Sequence, residues 1–113
     1  MLRNVTFIEE WNKKATEVNE TAKAKGWWDD ERNDGEIIAL MHSELSEALE
    51  ALRHGNGPDD HIPEFCGTEA EMADVVIRIM DYGKARGLRI AEAIEAKMAY
   101  NANRPVKHGG KAF

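Results

Sequence analysis

The segment from Ile37 to Arg53 limits the fold most strongly, because its apolar residues recur at the three- and four-residue spacing of an α-helix. At about 100° per residue, they form one wide apolar arc of Ile37, Leu40, Met41, Leu45, Ala48, Leu49, Ala51 and Leu52. Glu44 falls inside this arc, and Glu47 lies at its margin one turn further on. A carboxylate directed at a core is costly unless it is paired or bound to a cation. The segment therefore predicts a helix whose acids serve something other than folding.

Three other segments have the same helical periodicity, and residues with high turn propensity separate them. We predict these helices over residues 7–25, 68–87 and 90–101. Few prolines and abundant Ala, Glu, Leu and Lys also favour helix over strand. The sequence therefore predicts an all-α fold of four main helices, with the Gly- and Pro-rich residues 55–67 as a mobile connector.

Polar residues followed three positions later by glutamate mark where the first three helices begin. Such pairs form capping boxes, in which each side chain satisfies a backbone N–H group near the helix start. We predict three of them, formed by Thr6 with Glu9, Asn33 with Glu36, and Thr68 with Glu71.

Chain length and charge limit the number of domains and the kind of partner. With 113 residues, the chain is predicted to form a single all-α domain over residues 1–104 and an extended basic tail over residues 105–113. A net charge of −6 disfavours nucleic acid as a partner. There is no apolar run of the roughly 20 residues that a membrane span requires, no signal-peptide pattern at the start, and only one cysteine, Cys66. We therefore expect a cytoplasmic protein without a membrane partner.

A second acid pair follows on the third predicted helix, where Glu71 and Asp74 lie three residues apart beside an apolar stripe. If this helix packs antiparallel to the second, both acid pairs meet, and a cluster of carboxylates is repulsive unless a cation neutralises it. Oxygen ligands without His or Cys select a hard cation, Mg²⁺ first and Mn²⁺ as a substitute. In a purely structural alternative, Glu71 caps the helix and Asp74 pairs with Arg78.

Three polar residues at and just beyond the end of the fourth predicted helix share one strip, at spacings of four and three residues. They are Lys97, Asn101 and Arg104. A solvated basic strip is one interpretation. Because Mg²⁺ in carboxylate sites keeps positions open for phosphate oxygens, the strip is also a candidate phosphate-binding surface.

Two adjacent tryptophans, Trp27 and Trp28, follow the first predicted helix. Adjacent side chains at a helix end cannot both face one core, so at least one is expected to be partly exposed. They either seal a helix junction or offer a flat surface on which a nucleobase stacks.

The order of these motifs resembles a known family. An E-x-x-E pair, a loop, an E-x-x-D pair and then K-M-A-Y-N-A-N-R-P are similar to the all-α NTP pyrophosphatase superfamily, the MazG-like proteins. The similarity extends from about residue 27 to residue 110. It implies a Mg²⁺-dependent enzyme that cleaves nucleoside triphosphates between the α and β phosphates, releasing a monophosphate and pyrophosphate. It also implies a four-to-five-helix bundle that homo-oligomerisation completes, as a dimer or a dimer of dimers.

The resemblance also implies roles for individual residues. The implied metal ligands are Glu44, Glu47, Glu71 and Asp74. The implied phosphate contacts are Lys97, Asn101 and Arg104, and the tryptophans are candidate base contacts. Several members have a further Glu directly before the first acid, where this chain has Ser43. We therefore expect Glu47 or Glu44 to act as the base or to position the water.

Two alternatives to a triphosphate pyrophosphohydrolase stay open from the sequence. In one, the chain is a non-catalytic helical interaction module whose acids form salt bridges with Arg78, Arg86 and lysines. In the other, it is a pyrophosphohydrolase of another phosphorylated metabolite such as phosphoribosyl-ATP.

Overall fold

Four α-helices make up the regular structure of the described residues, 4–105 of the chain, in a computed structural model. They are α1 (Val5–Ala24), α2 (Asp34–Arg53), α3 (Gly67–Arg86) and α4 (Ile90–Ala102). The predicted all-α class is confirmed, and each predicted helix lies within two residues of the observed ends, with α2 starting directly after its predicted cap, Asn33. None of the helices in this range is long and apolar enough to cross a membrane. Of the predicted extended tail, 105–113, only Pro105 lies within the described residues.

The helix starts agree with the capping predictions at one position and differ at two. Asn33 caps α2, since its side chain accepts a hydrogen bond from the Glu36 N–H at 3.1 Å. Helix α1 begins earlier than predicted, and Asn4 rather than Thr6 caps it by accepting from the Phe7 N–H. At α3 the predicted box of Thr68 and Glu71 is wrong, because Cys66 and Glu69 cap this helix.

Helix α3 begins at Gly67, and Cys66 and Glu69 form its capping box. The Glu69 side chain accepts a hydrogen bond from the Cys66 N–H at 3.0 Å. Thr68 instead donates from its backbone and its hydroxyl to Asn56 Oδ1, at 2.8 and 2.7 Å. The helix start therefore does not use Glu71, one turn further along, and its carboxylate is free for another role.

Helices α2 and α3 pack side by side and antiparallel. At one end, Arg86 Nε donates to Asp34 Oδ1 at 2.8 Å. At the other end, Gly67 lies so close to Ala51 that a Cβ on the glycine would approach the alanine Cβ to 2.8 Å. Helix α1 packs against α3, and α4 against α1. The buried apolar residues are few and mostly small: Ala15, Ile37, Met41, Ala48, Ala70, Met80 and Ala91.

The apolar arc of α2 divides into a buried half and an exposed half. Ile37, Met41 and Ala48 are buried. The exposed half consists of Leu45, Leu49 and Leu52, and Ile38, which lies outside the predicted arc, extends it into an exposed stripe. On α3, Met72 and Val76 are also exposed. Viewed along its own helix axis, each exposed stripe is rotated in the same direction away from the α2–α3 contact. Since the helices are antiparallel, both stripes lie on one side of the α2–α3 pair, which we call the open apolar face.

The segment between α2 and α3 was predicted to be a mobile connector, but it is held by several backbone contacts. The Asp59 carboxylate accepts hydrogen bonds from the N–H groups of His61 and Ile62 at 2.9 and 3.0 Å. The Asp59 N–H donates to the Phe65 carbonyl at 2.8 Å, and Asn56 adopts the left-handed conformation, with φ of 51°. These contacts fix the segment next to the acids described below.

Candidate metal centre

Three carboxylates meet between α2 and α3. Glu44, Glu71 and Asp74 each place one oxygen so that all three oxygens lie within 4.8 Å of one another, and we call these residues the acid cluster. The Glu44 side chain is 15% exposed, which confirms that this acid faces the helix contact rather than solvent. The antiparallel packing predicted from sequence therefore unites one acid of the E-x-x-E pair with both acids of the E-x-x-D pair.

Mutual repulsion and burial change the acidity of this cluster. Burial, followed by the hydrogen bond and negative charge of Glu44, raises the pKa of Glu71 from 4.5 to about 7. Burial and then the Glu44 charge also raise the pKa of Asp74, against a smaller opposing effect of the Arg78 guanidinium. Near neutral pH, the cluster therefore holds a proton that carboxylates in water would have lost.

Arg78 supplies the positive charge closest to the cluster. Its Nε and Nη2 both donate to Glu44 Oε1, at 3.1 and 2.9 Å. Arg78 therefore pairs with Glu44 on the neighbouring helix, and not with Asp74 on its own helix as the structural alternative predicted. The guanidinium thus provides part of the neutralisation that a bound cation would provide.

The fourth predicted acid, Glu47, lies beside the cluster rather than in it. Its exposed side chain lines an open cavity of about 470 Å³, which the three clustered acids also border. Ser43 lines the same cavity, and its hydroxyl donates to the Leu40 carbonyl at 2.7 Å.

The α2–α3 segment contributes to this cavity as well. Asp59 and His61 lie in its wall, and both contribute to the electrostatics of Asp74, which Asp59 makes less acidic and His61 more acidic. Neither residue belongs to the metal site predicted from the sequence. Their proximity depends on the folded turn at Asp59, which a Gly- and Pro-rich composition does not specify.

A second cavity, of about 270 Å³, adjoins the acid cluster on the side of α1. Glu44, Asp74 and Arg78 border this second cavity, and the two acids also border the first one. Its far wall contains Trp27 together with the cationic residues Lys25 and Arg32. Carboxylates, cations and an aromatic ring therefore line one cavity, which we call the groove.

The two tryptophans have different surroundings. Trp27 is 57% exposed and lines the second cavity. The indole Nε1 of Trp28 donates to the Asp81 carboxylate at 2.9 Å, and Asn19, itself buried, donates to the same oxygen at 2.8 Å. The guanidinium groups of Arg32 and Arg86 lie 4.8 and 5.4 Å from the centroid of the Trp28 ring. Trp28 is thus held in a polar junction, and Trp27 has the accessible ring.

The basic strip of α4 lies apart from both cavities. Of the described residues that line the two cavities, none belongs to α4. Lys97 and Arg104 place their charges 5.2 and 5.7 Å from the ring centroid of Tyr100. Asn101 is exposed on the same helix. Within one chain, the structure does not bring these three predicted phosphate contacts to the acids.

Comparison of the chain with protein-family models, with curated proteins and with solved structures gave no match.

Proposed function

We propose that this chain is a Mg²⁺-dependent nucleoside triphosphate pyrophosphohydrolase of the MazG-like type, which releases a nucleoside monophosphate and pyrophosphate. The observation that carries the proposal is the acid cluster of Glu44, Glu71 and Asp74, with oxygens within 4.8 Å of one another beside a groove that contains cations and an aromatic ring. Nucleotide-pool housekeeping is the corresponding biological role.

The donor set of the cluster fits Mg²⁺. All three donors are carboxylates, and the cavity beside them is open, so positions remain for water and phosphate oxygens. The ion pair of Glu44 with Arg78 and the retained proton on Glu71 are the neutralisation expected of such a site in its metal-free form. In this proposal, Glu44, Glu71 and Asp74 hold the metal, and Glu47 borders it.

The roles of the chain's own side chains follow from their positions. Bound Mg²⁺ would neutralise phosphate charge and lower the pKa of a bound water. Glu47 lies outside the cluster but on the same cavity, so its carboxylate is available to accept the proton of the attacking water. Of the two candidates for the base, Glu47 is therefore preferred over Glu44, whose oxygen is already engaged.

The groove supplies contacts for the rest of a nucleotide. Lys25, Arg32 and Arg78 place positive charge in the wall of the groove, which Trp27 and two of the acids also line, and this suits a polyphosphate chain. The accessible ring of Trp27 suits stacking of the base, whereas Trp28 would act by holding Arg32 in the groove.

The same proposal includes a homo-oligomer, a dimer or a dimer of dimers. The open apolar face exposes six large apolar side chains on one side of the α2–α3 pair, which a second copy would bury as a four-helix bundle. Since the basic strip of α4 lies apart from the acids of its own chain, a neighbouring copy is the route by which Lys97, Asn101 and Arg104 would reach phosphate.

One observation favours a second candidate, a non-catalytic helical interaction module. The Glu44–Arg78 pair and the Arg86–Asp34 pair show that part of the charge in this region is already satisfied within the chain. In that case, the acids would serve helix packing alone, and divalent cations would not bind.

A nucleotide panel tests the proposed function. Canonical, deoxy and oxidised triphosphates would be incubated with Mg²⁺, and pyrophosphate and orthophosphate measured separately. We expect pyrophosphate from one or a few substrates, and its loss in Glu44→Gln. Glu36→Gln, an exposed acid near the start of α2, is the control and should retain turnover. Orthophosphate as the product, or full turnover by Glu44→Gln, would contradict the proposal.

A further inference from the structure

Arg78 lies where the acid cluster and the second cavity meet, and its hydrogen bonds go to the acid cluster. Its guanidinium uses two nitrogens, Nε and Nη2, on a single oxygen of Glu44. The side chain is 32% exposed, so it is neither buried beyond rearrangement nor free in solvent. It also lines the second cavity, together with Lys25 and Arg32.

A divalent cation in the acid cluster would compete with this guanidinium. The oxygen that Arg78 contacts belongs to one of the three carboxylates whose oxygens lie within 4.8 Å of one another. A cation bound there would place a second positive charge within a few ångströms of the guanidinium, where the half-buried setting weakens screening. Metal binding therefore weakens the hold of Glu44 on Arg78.

A released guanidinium has a suitable acceptor beside it. The cavity that Arg78 lines already contains two other cationic side chains, and a planar guanidinium binds two phosphate oxygens at once. To move from Glu44 to a phosphate in this cavity, the Arg78 side chain only has to rotate, and its backbone stays in place on α3.

We propose that Arg78 is an internal counter-ion that the metal displaces from Glu44 and that then binds the phosphate chain in the adjoining cavity. This inference rests on the function proposed above and adds a coupling between metal binding and phosphate binding. The metal-free protein holds its own cation on the acids, and the phosphate-binding arginine becomes available only after the metal has bound. Arg78 is a substrate contact in the loaded state and a competitor of the metal in the empty state.

Removal of the guanidinium should therefore move two affinities in opposite directions. In Arg78→Gln, we expect Mn²⁺ to bind about tenfold more tightly, the effect of one hydrogen-bonded charge. With Mn²⁺ in excess, inorganic tripolyphosphate should bind about tenfold more weakly for the same reason. A merely structural role would weaken both or change neither. Arg53→Gln, which removes the same charge from an exposed ion pair with Glu50 on α2 that borders neither cavity, should leave both affinities close to those of the parent.

Arginine Nε–H resonances in ¹⁵N spectra give a readout that does not depend on turnover. The Arg78 signal, identified by its loss in Arg78→Lys, should shift when Mg²⁺ is added to the parent protein and shift again with tripolyphosphate. Circular dichroism of each variant establishes that it is folded before its affinities are compared.

The outcomes separate this inference from the proposed function. If the parent binds Mn²⁺ and Glu71→Gln does not, while Arg78→Gln binds Mn²⁺ no more tightly than the parent, the counter-ion role is overturned and the metal site stands. If the parent does not bind Mn²⁺ at all, both fail. Tighter Mn²⁺ binding with unchanged tripolyphosphate binding overturns the phosphate contact.

Discussion

Replacement of Glu71 by Gln should make the metal-free protein more stable at pH 8 while removing its metal site. In the unfolded chain Glu71 ionises near its ordinary pKa of 4.5, and in the folded protein its pKa is about 7. Because the folded protein binds this proton more tightly, its free energy of unfolding falls as the pH rises from about 4.5 to 7 and is level above that. The amide of Gln is nearly isosteric and does not ionise, so the variant lacks this loss.

The size of the effect follows from the same shift. The full difference in pKa corresponds to about 3 kcal/mol, and water around this half-buried side chain reduces it to about 1–2 kcal/mol. Glu71→Gln should therefore match the parent near pH 4 and exceed it by about 1–2 kcal/mol at pH 8. Addition of Mg²⁺ should stabilise the parent and not the variant, because only a protein that binds the ion gains from it.

Urea denaturation with a chelator, repeated between pH 4 and 8, measures this difference. Glu36→Gln is the matched control, since that exposed acid near the start of α2 does not contribute to the raised pKa of Glu71 and its replacement should leave the pH dependence unchanged. A Glu71→Gln protein that is less stable than the parent at pH 8, or that shows the same fall with pH, would refute the electrostatic account of the cluster.

Three more predictions follow from the groove, the open apolar face and the acids. Trp27→Ala should raise KM about tenfold or more, because base stacking contributes roughly 1–3 kcal/mol, whereas Trp27→Phe should keep most of the affinity; equal KM values would exclude stacking. Leu49→Glu should lower the mass measured at micromolar concentration by light scattering, whereas Ser46→Glu, on another face of α2, should not; an unchanged mass for both would place the interface elsewhere. Calorimetry should show Mn²⁺ affinity rising with pH up to about 7, with uptake of the ion releasing a proton from Glu71; an affinity independent of pH would contradict this.

Helical periodicity was sufficient to predict the class of fold and the meeting of three of the four acids, while Glu47 lies outside the cluster. Glu44 interrupts an apolar arc, and Glu71 and Asp74 lie three residues apart, so antiparallel packing of α2 and α3 had to bring them together. The spacing of acids along helices is a local property that the sequence carries directly.

Properties that depend on competing local contacts were harder to predict. Two glutamates, Glu69 and Glu71, stand near the start of α3, and only the exact first residue of the helix decides which one caps it. The prediction placed that start at Thr68, whereas Thr68 bonds to Asn56 in the preceding turn. Helix ends are commonly uncertain by one or two residues, and here one position determined the role of an acid.

The rotation of side chains around α2 shows a second limit. A broad apolar arc does not reveal which part packs within the chain and which part remains exposed. Leu45 and Leu49 belong to the arc as fully as Met41 does, yet they are exposed and Met41 is buried. The width of the arc suits two contacts, one with α3 and, in the proposed oligomer, one with a second copy of the chain.

An X-ray structure of crystals grown with Mn²⁺ tests the central claim most directly, because anomalous scattering locates that ion. The account predicts an anomalous peak bounded by carboxylate oxygens of Glu44, Glu71 and Asp74, with the Arg78 guanidinium moved away from Glu44 Oε1. A peak only at other residues, or no peak together with an intact Glu44–Arg78 ion pair at high Mn²⁺ concentration, would contradict it.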